Sequence, residues 1–181
     1  LEIAHKYSEN CQKKLTNLAV LNSLSKRSNA AGLRAGFLCA DPDVILSYSK
    51  IAANGLALVP TPLLNVSAEI YRDTVHNKMV REHYNRAFKI AEQYLKCSIP
   101  DAGFFLWLPV GDDIKCTKLL WEHMAIKVIP GSYMAIANNG INPASGYIRI
   151  AMVHRLDIIE EAMKRLQRFF QNIWQEHQIN D

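Results

Sequence analysis

A lysine that condenses with an aldehyde needs a fixed position and an anion-binding neighbourhood, and residues 22–36 hold candidates for both. Ser23-Leu-Ser25-Lys26 is followed by Arg34, which stands between Gly32 and Gly36. Hydroxyls can donate to phosphate oxygens, a guanidinium can fork them, and glycine lets backbone come close. Imine formation needs a neutral amine, which neighbouring positive charge favours. Together these residue types describe a Schiff-base lysine beside a phosphate cradle. They also read as a polar loop with a solvated lysine, and composition alone does not choose between the two.

A second candidate is Arg149, the one charge in Tyr147-Ile-Arg-Ile-Ala-Met-Val153. Strand alternation puts Tyr147, Arg149, Ala151 and Val153 on one face. A buried guanidinium without an anion is costly, so Arg149 is expected to meet either a protein acid or a bound carboxylate.

Other chemistries find little footing. The cysteines Cys11, Cys39, Cys97 and Cys116 are far apart and form no C-x-x-C pair, which fits reduced thiols in a cytoplasmic protein. His76 and His83 have no cysteine close enough to complete a metal set, so no metal is expected. The net charge of +4 comes from 21 basic residues scattered among 17 acids, a poor footprint for nucleic acid. No apolar run approaches the roughly 18 residues that would suggest a membrane span, and no signal-peptide pattern is seen.

The elements that must position these residues follow from periodicity. Residues 1–14 read as a polar helix, 18–21 as a short buried strand, 22–29 as a loop, and 37–40 as a strand ended by Asp41-Pro42-Asp43. Helices are predicted over 44–57, 64–72 and 76–95, the last with Val80, Tyr84, Ala87, Phe88, Ala91 and Leu95 on one stripe. Strands are expected at 103–110, 126–129 and 147–153. A helix over 112–124 has acids in its first turn, as the helix dipole favours. A final helix over 156–177 carries Ile159, Met163, Leu166, Phe170 and Trp174 on its stripe. This alternation indicates a mixed α/β and α+β layer architecture.

The run Ser23-Leu-Ser-Lys-Arg-Ser-Asn-Ala-Ala-Gly-Leu-Arg-Ala-Gly36 resembles the lysine signature of class I/II aminotransferases, the fold-type I pyridoxal-phosphate enzymes. The resemblance implies that Lys26 carries pyridoxal 5'-phosphate and acts as catalytic base. It also implies that Ser23 and Arg34, with Ser25 a weaker candidate, bind the cofactor phosphate. Tyr147-Ile-Arg-Ile-Ala151 is similar to the family strand whose arginine forks the substrate α-carboxylate, which points to Arg149. Ala102-Gly-Phe-Phe-Leu-Trp107 looks like the first strand of the family's small domain. Val128-Ile-Pro-Gly-Ser132 looks like a turn beside its substrate cleft, where Gly131 and Ser132 are candidate lining residues.

On this resemblance the chain is the C-terminal part of such an enzyme. Residues 1–75 would end the large cofactor domain, 76–95 would connect, and 96–181 would form the small domain. Family members pair the ring nitrogen with an aspartate that precedes the lysine, and no Asp stands among the 25 residues before Lys26. Amino-acid and keto-acid substrates and a homodimer are implied for the full-length protein. Within the family the wording is most similar to N-succinyl-diaminopimelate aminotransferases of lysine biosynthesis. Residues 55–64 contain no arginine, which speaks against one branch of aspartate enzymes. A synthase or decarboxylase on the same fold, and an interaction module that has lost its cofactor, stay open as alternatives.

Overall fold

The computed structural model describes residues 18–55 and 59–174, which divide by contact into two units, Leu1–Val80 and Arg81–Asp181. The helix expected over 1–14 lies outside the described residues.

In the first unit, β1 (Val20–Ser23) pairs antiparallel with β2 (Gly36–Cys39), Ser23 standing opposite Gly36. Between them the expected loop is partly helical. Ser23 caps a single turn, α1 (Leu24–Arg27), and a 3-10 turn (Ala31–Leu33) leads into β2. Glycine is required at position 36, because a Cβ there would lie 2.5 Å from the Asn22 carbonyl oxygen. β1 is not the buried strand that its apolar residues predict: Leu21 is 76% exposed. A two-stranded ribbon has two faces, and the described residues of this unit cover only part of them.

Two helices follow, α2 (Pro42–Gly55) and α3 (Thr61–Arg72). Both start earlier than periodicity suggests, because Pro42 and Pro62 sit in first turns, where the missing N–H costs nothing. α4 (Thr74–Leu95) begins in this unit and runs into the second. Its expected stripe is the face that packs: Ala87, Phe88 and Ala91 are buried.

The second unit is a three-stranded antiparallel sheet in the order β3-β5-β4, with β3 at Phe105–Pro109, β4 at Ile129–Pro130 and β5 at Tyr147–Ala151. Alternation gives it two unlike faces. Leu106, Leu108, Ile148 and Ile150 are buried in one core with Ala87 and Phe88 of α4, Cys116 and Leu120 of α5 (Asp113–Met124), and Ile159, Met163 and Leu166 of α6 (Leu156–Arg168). The opposite face carries Phe105, Trp107, Tyr147, Arg149 and Ile129, all half-buried or exposed.

After α6 the backbone widens into a π-turn over Phe169–Trp174. Phe169 is fully buried and Phe170 half-buried, and the Phe169 ring stacks on Trp174 five residues on, at 6.0 Å. No described helix is long and apolar enough to cross a membrane.

Asp113 locks the turn after β4 to the start of α5. Its carboxylate accepts from the amides of Ser132 at 2.7 Å and Gly146 at 3.3 Å, and it is 4% exposed. Burial alone would raise its pKa, but these donors outweigh burial and hold it below the ordinary value of 3.8. A carboxyl held low in the fold stabilises above its unfolded pKa, and that stability disappears as pH falls through the folded value. Asp113→Asn is therefore expected to cost roughly 2 kcal/mol at neutral pH. Urea denaturation over a pH series should show the gap to wild type closing below 3.8. A gap of constant size down to acid pH would contradict this account.

Candidate active site

The lysine segment is organised by its own backbone. The Ser23 hydroxyl accepts from the Ser25 amide at 3.2 Å, and the Leu24 amide donates to the Ala35 carbonyl at 3.1 Å. Leu24 is fully buried, so α1 is anchored at its first residue and Lys26 rises exposed from the same turn. The expectation that a buried strand fixes the lysine is replaced by this arrangement of cap, buried leucine and closing hydrogen bond.

Because Ser23 uses its hydroxyl oxygen as an acceptor, its O–H remains able to donate. Arg34 sits at the far end of the 3-10 turn in left-handed backbone, with φ of 50°, an uncommon conformation for a residue with a side chain. Its Nη1 donates to the Ala31 carbonyl at 3.0 Å and the side chain is otherwise exposed, which leaves most of its donors in reach of an anion. The Leu24–Ala35 hydrogen bond brings the two ends of the segment together, so Ser25 and Arg34 each adjoin the bonded pair in sequence.

Arg27 is a residue that the sequence did not single out. Its guanidinium donates to the Ser28 hydroxyl at 2.9 Å and to the carbonyls of Ile70 at 3.2 Å and Tyr71 at 2.9 Å, and it lies 5.2 Å from the centre of the Tyr71 ring. A cation on the last carbonyls of α3 suits the helix dipole and ties the lysine turn to that helix. Burial pushes the Tyr71 phenol up, partly offset by Arg27. Nothing in the sequence marks this contact, because it joins residues more than forty positions apart.

In the second unit, Arg149 lies on the open face of the sheet, in one row with Trp107 and Ile129. It is half-buried, less enclosed than expected, because the helices cover the other face. Among the described residues it has no acid partner and no hydrogen bond; its neighbour is the Phe105 ring, 4.4 Å from the guanidinium carbon to the ring centre. A structural salt bridge, one of the two expectations for Arg149, is thus not what holds it. Trp107 stacks on Tyr147 at 5.5 Å. Gly131 is buried where a Cβ would overlap the Ala144 carbonyl and press on Trp107, and Ser132 is tied to Asp113. Ser23, Ser25, Lys26 and Arg34 thus lie in one segment closed by the Leu24–Ala35 hydrogen bond, and Arg149 belongs to the separate second unit.

The donor set fits a phosphorylated aldehyde: an amine for the carbonyl, with hydroxyl and guanidinium donors for the phosphate.

The chain is similar to known proteins over most of its length. The family described as Aminotransferase class I and II matches residues 8–166. An aspartate aminotransferase of Thermotoga maritima is 24% identical over 157 residues, covering 84% of this chain and 39% of that protein. An LL-diaminopimelate aminotransferase of Moorella thermoacetica is 27% identical over 163 residues, covering 81% and 38%. A crystal structure of an aminotransferase from Neisseria meningitidis superposes with a TM-score of 0.78 at 30% identity, covering 92% of this chain and 44% of that one. The chain thus spans about two fifths of the length of the curated relatives it matches.

Arg27→Met keeps the aliphatic stem but removes the donors that hold the lysine turn. The amides of Ser28 and Ala30, both bonded to the Leu24 carbonyl, are expected to exchange with deuterium faster in this variant. Unchanged protection would show that Arg27 is not the anchor.

Proposed function

Because this chain belongs to the class I and II aminotransferases, we propose that it contributes the cofactor lysine and the substrate-carboxylate arginine to an enzyme that exchanges amino groups between amino acids and keto acids. The observation that carries this reading is the segment capped by Ser23 and closed by the Leu24–Ala35 hydrogen bond, which exposes Lys26 on its first turn and ends at Arg34.

Members of this family depend on pyridoxal phosphate, and the turn offers the groups that would hold it. Bound there, the cofactor supplies an electron-accepting ring that stabilises negative charge at the substrate Cα. Lys26 would hold the cofactor through its Nζ and, once displaced by substrate, move the proton at Cα as general acid and base. The Ser23 hydroxyl and the Arg34 guanidinium would hold the phosphate, with Ser25 contributing its backbone to the same turn. Arg149 would take the substrate carboxylate along its free in-plane edge, which fixes the direction in which the amino group points.

The substrate proposed is a diaminopimelate-type amino acid of lysine biosynthesis. What supports it is the wording of residues 23–36 and the likeness to an LL-diaminopimelate aminotransferase at 27% identity. A homodimer belongs to the same proposal: Val44, Tyr48 and Ile51 of α2 and Leu64 and Val66 of α3 expose apolar surface. A cytoplasmic setting is proposed from the free thiols Cys39, Cys97 and Cys116.

Borohydride reduction after incubation with pyridoxal phosphate is expected to add the cofactor's mass to the peptide containing Lys26, and Lys26→Ala should lose the adduct. In the intact enzyme, Arg149→Lys should raise KM for the amino-acid substrate roughly 10- to 100-fold, the usual worth of hydrogen bonds to a charged group. Amino transfer that survives Lys26→Ala at full rate would remove the assignment.

A further inference from the structure

Among the described residues Arg149 has no acid partner; it is half-buried on the open sheet face, and the Phe105 ring centre lies 4.4 Å from its guanidinium carbon. A guanidinium has two recognition surfaces. Its flat face attracts aromatic rings, and its in-plane edges carry the N–H donors. A carboxylate from the protein would occupy the edges and neutralise the charge. A ring neither neutralises the charge nor accepts a conventional hydrogen bond, so the charge and the donors stay available.

The geometry points to Phe105 as a positioning residue that holds Arg149 for a ligand carboxylate; this rests on the reading of Arg149 given above.

Register explains how the contact arises. Arg149 faces Trp107 directly across the strands, while Phe105 faces Ala151. Opposite a side chain as small as alanine, the Phe105 ring has room to lean diagonally toward Arg149. Trp107 cannot take that role as it stands, because its ring is stacked on Tyr147, with an interplanar angle of 15°. Phe105 is itself held from behind: its ring is 4.4 Å from Phe104, which lies 5.4 Å from Tyr84 of α4. A line of aromatic contacts therefore runs from the helix layer to the guanidinium. The remaining neighbours of Arg149 on this face, Trp107, Tyr147, Ala151 and Ile129, bear no charge. A ligand carboxylate thus meets a single cation among uncharged neighbours.

The test uses the 181-residue chain and butyrate as a plain carboxylate probe, so it needs no bound cofactor and no turnover. Binding is followed by NMR through the backbone amides of β5, and the order of Arg149 through relaxation of its Nε–Hε signal, assigned by its loss in Arg149→Met. Phe105→Leu removes the ring, and replacement of Phe105 by mono- and pentafluorophenylalanine keeps its shape while draining the negative charge from its face. Butyrate affinity is expected to fall roughly two- to fivefold with pentafluorination, the size of an ordinary cation–π contact, less with one fluorine, and Arg149 should grow more mobile in the same order. If Arg149→Met abolishes binding while fluorination changes neither affinity nor Arg149 order, Phe105 only packs, and the carboxylate role of Arg149 stands without it. If Arg149→Met leaves binding unchanged, the carboxylate reading itself falls and this inference falls with it.

Discussion

Three arginines frame the chemistry proposed here, and each is held by neutral groups. Arg27 rests on the carbonyls of Ile70 and Tyr71, Arg34 on the carbonyl of Ala31, and Arg149 on the ring of Phe105. None pairs with a carboxylate among the described residues. Holding a guanidinium in place without cancelling its charge is the condition that any anion site must meet. An acid would fix the side chain more strongly but would compete with the ligand for the same donors. Carbonyl dipoles and aromatic faces fix it less strongly and leave the charge uncancelled.

The acids of the chain serve elsewhere. Asp113 is turned wholly toward backbone amides, where it binds the turn after β4 to the first turn of α5. Several others sit in exposed helix pairs, Glu160 with Lys164 and Glu161 with Arg165, or beside a helix start, as Asp157 does with Arg155. Such surface pairs add little stability. What stabilises the second unit is the single apolar core between one sheet face and three helices. Covering only one face leaves the other available for Arg149 and its aromatic neighbours.

Much of this was legible in the residues, and the failures have physical causes. Alternation around Arg149 held, because a strand covered on one side must present every second side chain to the core. The stripe of α4 held for the same reason at helical period. The stripe of α6 continued to Trp174 but buried Phe169 more deeply than Phe170 where the α-helix gives way to a π-turn, a change that hydrophobic spacing does not announce. The apolar residues of β1 suggested burial, but burial depends on what packs against a strand, not on the strand. The polar segment from Asn22 to Asn29 hid a helical turn, visible only once Ser23 is seen to cap it.

By itself the sequence determined which groups are available: an amine, hydroxyls and a guanidinium within one short segment, and a lone cation in an apolar strand. Those are matters of residue type and spacing along the chain, and they carry the likeness to a family with them. The tertiary structure decided what holds each group. Arg27 reaches α3 across more than forty residues, Asp113 reaches Ser132 and Gly146, and Phe105 meets Arg149 through a strand register. Contacts between residues distant in sequence depend on how the elements pack, and no local pattern encodes that.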